Sequence, residues 1–429
     1  MITHKLLVIL LAANLSLASR TLVPGAIHSL HRRAVRHTHS LARDLRVAFG
    51  GILLPRAEES EQKRVVYCKP TKQTTFGTPD TGTSSGNDTT IVAGSSTSRG
   101  RPSSTGSSAL PSGTTTVPAT SPWKLLDSHE GNSFFDGWDF FTAPDPTHGI
   151  VDYIAENAAR SNGLLEVNSA GNAIMRVETT PNVAANRKSI RITTQRLFNG
   201  GLVIMDSIHM PTGCGTWPAF WTNGPNWPVG GEIDIVEGVH DYTNNQATIH
   251  TDIGCTLAST SANALAISGR VIDGTNCAAL TTGNQGCGIR ASTSNSFGAG
   301  FNANGGGVYA MKWDSTGIAV YFFPRGSVPA DITAEVPQPD TWGAAQARWP
   351  AASCDPFKYF NNHHAIFDTT LCGDWAGGVW NSAGIPGQEQ SCAQRTGFST
   401  CEAYVRANGA AMDEAYWEVK SVKIYQKQN

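Results

Sequence analysis

The chain has 429 residues, a formal net charge of −2 and only 15% charged residues. That balance excludes a general nucleic-acid binder and an acidic solvating chain. With 44 Gly and 11 Trp, it fits a turn-rich β protein with an aromatic-lined surface, and its length allows more than one unit.

Residues 1–19, MITHKLLVILLAANLSLAS, read as a secretory signal. Lys5 supplies the charge, Leu6 to Ala13 the short apolar run, and Ser16-x-Ala18 a small-residue cleavage site. No second apolar run of spanning length follows, so no membrane span is expected after cleavage. An uncleaved anchor is the lesser alternative. Residues 20–70 form a basic pro-segment or disordered tail, with Arg32-Arg33 a dibasic processing site. Residues 71–121 are dominated by Ser, Thr, Gly and Pro. Such a segment buries too little apolar surface to offset its ordering entropy, so a flexible, O-glycosylated linker is expected. Asn87-Asp88-Thr89 is the one N-glycosylation sequon beyond the leader.

Secretion sets the reading of the nine cysteines. Cys68 stands apart, while Cys214, Cys255, Cys277, Cys287, Cys354, Cys372, Cys392 and Cys401 share one later region. Eight cysteines without any C-x-x-C point to disulfides rather than metal ligands in an oxidising compartment. Spacing does not fix their connectivity; Cys392/Cys401 and Cys277/Cys287 are the pairs that short separations suggest.

From about residue 122 aromatics appear at once, and short apolar runs alternate with Gly, Asn, Asp and Pro to residue 429. Strands are predicted over residues 187–195, 200–210, 246–253, 308–314, 318–324 and 416–426. The Asp314-Ser-Thr-Gly317 segment marks a hairpin. Long helical periodicity is missing, so residues 122–429 are expected to form one all-β sandwich with elaborated loops.

Within it, GGEIDIVEGVH (230–240) sets Glu232, Asp234 and Glu237 among Ile233, Ile235 and Val236. Alternation along a strand turns Glu232 and Asp234 the same way. It would send Glu237 into the apolar core, where an unpaired carboxylate is very costly. One extra residue, a β-bulge near Ile235-Val236, restores the parity and gathers all three acids on one face. Two carboxyl groups flanking a third suit glycosidic cleavage, which needs a nucleophile and a proton donor. Crowding favours retention of a proton by one of them. Binding of Ca²⁺ or Mg²⁺ by the three acids, or a polar face without chemistry, are the competing readings.

The flanks carry a resemblance. GCGTWPAFWTNGPNWPVGGEIDIVEGVH (213–240), His250 and CGDWAGGVW (372–380) are joined by FFDGWDFFTAPDPTHGIVDYI (134–154), GGLVIMDSIHMPTGCGTWPAFW (200–221) and AYWEVKSVKIY (415–425). Together they resemble glycoside hydrolase family 16, in the form of the secreted fungal endo-1,3(4)-β-glucanases, or laminarinases. The resemblance covers residues 122–429. It implies a jelly-roll β-sandwich of two curved antiparallel sheets with an open substrate cleft, and a retaining mechanism. It further implies Glu232 as nucleophile, Asp234 as assisting acid, Glu237 as general acid/base and His250 in support. Trp221 and Trp227 match tryptophans beside the sugar next to the scissile bond.

Other aromatic and polar positions read differently. Trp217 is expected in the core, Trp313 fits packing or ligand equally, and Asp374 is expected to fix a loop. The expected protein is thus a secreted monomer, extracellular or in the cell wall, that cleaves β-1,3 and mixed-linkage β-glucan without a metal or organic cofactor. A β-glucan transglycosylase is the alternative, because it shares the first half-reaction. A non-catalytic glucan-binding protein is a third reading.

Overall fold

The computed structural model describes residues 120–428 except Asp273. The leader, the basic tail, nearly all of the linker, Cys68 and the Asn87 sequon lie outside the described residues.

Short runs of β-branched and aromatic residues, cut by Gly and Asn, form eighteen strands among the described residues. β1 (Trp123–Glu130), β2 (Trp138–Phe140), β3 (Val151–Tyr153), β4 (Leu165–Val167) and β5 (Ala173–Arg176) come first. β6 (Arg187–Ser189), β7 (Arg191–Thr194), β8 (Gly201–His209), β9 (Thr216–Asn223), β10 (Glu232–Glu237) and β11 (Gln246–His250) carry the chain past the three acids. Then come β12 (Arg270–Val271), β13 (Cys287–Arg290), β14 (Gly307–Asp314) and β15 (Gly317–Pro324). β16 (Ala347–Pro350), β17 (His364–Leu371) and β18 (Tyr416–Lys427) follow. The strand expected over residues 187–195 is divided at Ile190. Its first part pairs in parallel with β3, and its second joins a main sheet. The hairpin at Ser315-Thr316 pairs Asp314 with Gly317.

Two eight-stranded antiparallel sheets face each other, as expected of a jelly-roll sandwich. One runs β16-β15-β14-β8-β18-β5-β4, with β1 also on β18; the other runs β12-β13-β11-β10-β9-β17-β7-β2. Alternation sorts the side chains. On β14, Tyr309, Met311 and Trp313 enter the core between the sheets, whereas Val308 and Ala310 join a second apolar cluster. Trp313 is wholly buried and so serves packing. Across the core, Phe220 of β9 stacks on Phe367 of β17 at 4.4 Å. Each fully buried aromatic side chain of this kind is worth about 1.5–3 kcal/mol.

Four disulfides join Cys214–Cys392, Cys255–Cys354, Cys277–Cys287 and Cys372–Cys401. The short pair Cys277/Cys287 forms, but Cys392 and Cys401 do not pair with each other. Each opens its own short helix, Cys392–Thr396 and Cys401–Ala407. Each helix is tied to the sandwich instead, the first to the approach to β9 and the second to the end of β17. Among the described residues no helix is long and apolar enough to cross a membrane.

Candidate active site

The acids lie on β10, in the middle of the second sheet. β10 pairs with β9 through Glu232↔Asn223, Ile233↔Thr222 and Asp234↔Trp221, then shifts register to Val236↔Phe220 and Glu237↔Ala219. Ile235 is the additional residue. Ile233, Ile235 and Val236 are all fully buried in the core, so two successive apolar side chains point inward. Glu237 thereby returns to the face that carries Glu232 and Asp234. Glu232 and Glu237 are partly exposed, while Asp234 between them is buried. Gly231 sets the entry to the strand: it has φ +77°, and a Cβ there would strike Phe360.

Neighbouring strands complete this face. On β11, His250 stands opposite Glu232. Its Nε2 lies 3.4 Å from Asp234 Oδ2 and 4.0 Å from Glu232 Oε1. The loop beneath is close: a Cβ on Gly286 would come within 2.9 Å of the His250 ring. On β9, Trp217 Nε1 donates to Glu237 Oε1 at 2.9 Å. Trp217, expected in the core, packs against it but is only partly buried, and its N–H serves the acids' face. It shares a face with Ala219 and Trp221, a parity visible in TWPAFW once β9 is recognised. Trp375 backs it edge-on at 5.6 Å.

Trp221 Nε1 donates to Asp368 Oδ2 of β17 at 3.0 Å. The Arg191 guanidinium of β7 lies 5.2 Å from the Trp221 ring and 4.4 Å from the Phe141 ring. Trp227 belongs to the loop between β9 and β10, just before a cis peptide bond to Pro228. That loop is closed by Gly224 N–H to Gly231 O at 3.0 Å, and His363 reaches Gly230 O at 2.9 Å. Asp374 accepts from His148 at 3.0 Å and so does tie a loop. Asp368 and Arg191 are the polar residues of this face that motif reading misses. The signal for Asp368 is a lone acid in the HAIFDTTL run, where it is the only acidic residue.

Burial governs the charge states. Desolvation, followed by the charge of Asp234, raises Glu237 well above the carboxylate range. The Trp217 hydrogen bond and the charge of His250 act in the opposite direction. Asp234 is likewise raised, by burial and then by Asp368. Asp368 itself is pushed up to about 7 by burial, against the opposing charge of Arg191. The face thus holds, beside Glu232, three carboxyl groups whose hold on a proton is raised by burial.

Two clusters among the described residues have metal-ligand composition. Glu232, Asp234 and His250 bring ligand atoms within 4.8 Å of one another, a mixed oxygen–nitrogen set that suits a divalent cation. Cys214, Asp241 and Cys392 form the other, but both sulfurs are committed to a disulfide.

Comparison with known proteins returns one consistent group. A family model described as the XgeA-like, catalytic GH16 domain matches residues 138–425. A probable glycosidase of Schizosaccharomyces pombe is 43% identical over 311 residues, which cover 71% of this chain and 69% of that protein. A probable endo-1,3(4)-β-glucanase of Aspergillus niger is 41% identical over 312 residues, covering 72% of this chain and 40% of that protein. The chain thus spans well under half the length of the second relative. Laminarinase 16A of Phanerochaete chrysosporium, solved with two β-glucans in donor and acceptor sites, superposes with a TM-score of 0.64. It is 37% identical over 71% of this chain and 99% of its own. An elongating GH16 β-1,3-glucosyltransferase superposes with a TM-score of 0.63 at 37% identity, over 71% of this chain and 100% of its own.

Proposed function

The chain belongs to glycoside hydrolase family 16, and from that membership we propose that it is a secreted, retaining endo-1,3(4)-β-glucanase acting on β-1,3 and mixed-linkage β-glucans. The observation that carries this reading is the bulge at Ile235, which sets Glu232 and Glu237 on one face with a buried acid between them. The relatives' names and the glucan bound to laminarinase 16A support the substrate class.

In the first half-reaction Glu232 attacks the anomeric carbon, and Glu237 protonates the departing glycosidic oxygen. Its environment suits that task, because burial and then the charge of Asp234 raise its proton affinity well above the ordinary value. Trp217 holds the carboxyl in place. Asp234 lies between the two and assists through its charge, which raises Glu237, with His250 Nε2 facing it at 3.4 Å. In the second half-reaction Glu237, now ionised, takes a proton from water, which releases the sugar from Glu232. Retaining enzymes hold the two carboxyl groups about 5–5.5 Å apart. Trp221 and Trp227 offer ring faces to the sugar beside the bond that breaks. These steps need no metal. A second reading, transfer of the glycosyl group to another sugar, is favoured by the likeness to the elongating glucosyltransferase.

Four disulfides and fungal glucanase relatives support extracellular action. A monomer that meets its glucan outside the cell or in the wall is the proposed form.

The test is incubation of the full chain and of Glu232→Gln and Glu237→Gln with laminarin, lichenan, cellulose, xylan and agarose. Reducing ends and product masses are scored. Wild type is expected to release sugars from laminarin and lichenan alone. Each variant is expected to lose at least about 10³-fold in kcat while melting normally, since each removes a group that bonds to the reacting atoms. Full activity in either variant refutes the roles. Products longer than the starting oligosaccharide favour transfer.

A further inference from the structure

The bulge that aims Glu237 leaves a gap in the ladder of hydrogen bonds. β11 pairs with β10 only from Glu232 to Asp234. Beyond that point one residue side chain takes over from the backbone. Asn245, which immediately precedes β11, accepts from Glu237 N–H through Oδ1 at 3.0 Å. It donates through Nδ2 to Ile235 C=O at 2.9 Å. Its amide therefore spans the irregular step, reaching one backbone group on each side of Val236.

We propose that Asn245 is a positioning residue for the reaction, clamping the bulge so that the Glu237 carboxyl stays aimed at the glycosidic oxygen. This rests on the glucanase reading of Glu237. Asn245 is fully buried, and its own backbone is fixed on both sides. Its N–H donates to Ser296 Oγ at 3.0 Å, and its carbonyl accepts from Ala291 N–H at 2.8 Å. Ser296 Oγ in turn donates to Thr293 O at 2.7 Å, and the Ser296 carbonyl accepts from Tyr309 of β14. The clamp is thus anchored in the sandwich core rather than in the strand it holds. Trp217 grips the Glu237 carboxyl, while Asn245 grips its backbone nitrogen. Only a side chain with an acceptor and a donor at this length supplies both contacts. Without it, two buried backbone groups lose their partners exactly where parity must be kept, and the bulge is free to shift.

The experiment compares full-length wild type, Asn245→Ala and Asn245→Asp on laminarin. It reads kcat, KM, melting and amide hydrogen exchange at Glu237. Asn245→Ala is expected to lose about 10- to 100-fold in kcat with KM within about twofold, the scale of a small misplacement of a reacting group. Exchange at the Glu237 amide is expected to rise at least about tenfold, because its acceptor is gone. Asn245→Asp supplies both contacts when its carboxyl is protonated, and only acceptors when ionised. Its kcat relative to wild type is therefore expected to recover as pH falls, whereas that of Asn245→Ala does not. If Asn245→Ala does not fold, the pH-dependent rescue of Asn245→Asp remains the test. Unchanged kcat in a cleaving wild-type background, or an Asn245→Asp deficit independent of pH, overturns the proposal. Faster Glu237 exchange in a protein whose wild type cleaves no glucan would uphold the clamp and refute the glucanase reading instead.

Discussion

Asp368 illustrates how one residue sets the chemistry of its neighbours. It accepts from Trp221, pairs with Ala219, the residue opposite Glu237, and adds to burial in raising Asp234 above its ordinary value. The folded protein holds the Asp368 proton up to about 7, against an ordinary value of 3.8. Between those values rising pH strips the proton from the unfolded chain first. Stability attributable to this group is therefore present below about pH 4 and lost as pH rises through about 7. Asp368→Asn keeps an acceptor for Trp221 and removes the titration. It is expected to melt higher than wild type at pH 8, with the difference vanishing near pH 4; a constant difference across that range contradicts the assignment. Glu232, Asp234 and Glu237 were legible in the chain because all three sit in one short run whose spacing betrays the bulge. Asp368, Arg191 and Asn245 are not, because they reach the site from other segments, and only Asp368 leaves a local trace, a lone acid.

Strands with one solvated face announce themselves by alternation, as β18 does, whereas β14 and β15 are readable from their aliphatic and aromatic residues on either side of a hairpin signal. β17 was missed. Nearly all of it is buried, yet His364, Asp368, Thr369 and Thr370 interrupt its apolar residues without regular alternation, so it matches neither strand pattern. Disulfide pairing was hidden as well. The two helices opened by Cys392 and Cys401 are neighbours in sequence but are moored to different parts of the sandwich. The Cys372–Cys401 link closes a separation of 29 residues, and Cys277–Cys287 one of 10. Cys372 leads directly into the Gly373–Gly377 turn, whose Trp375 backs Trp217. Replacing Cys372 and Cys401 by Ser is expected to cost roughly 3 kcal/mol and to lower Tm by about 5–10 °C. It should also reduce kcat. The Cys277/Cys287 double replacement does not touch the Trp375 turn, although Gly286 beside Cys287 packs on His250; it should cost less and lower kcat less. Equal effects of the two on kcat would show that the turn does not support Trp217.

At the scale of the molecule, the sandwich divides labour between its sheets. β14 and β8 of one sheet supply the aromatic and aliphatic packing that β9, β10 and β17 of the other rest upon. Because those three strands are adjacent, their outward side chains form a continuous floor running from Glu232 past Trp221 to Asp368 and Arg191. The overall architecture was predictable from short strands and frequent turns, whereas the strand order was not, since it depends on pairings between distant segments. The proposed reaction on this floor has a stereochemical signature. On the proposed mechanism, attack by Glu232 followed by water guided by Glu237 would invert the anomeric centre twice. The most direct measurement is proton NMR of laminarin during the first minutes of cleavage by the full chain. New reducing ends are expected to appear as the β anomer, with the α anomer growing only by mutarotation; new ends that appear first as the α anomer would contradict a nucleophile and an acid/base gathered on one face.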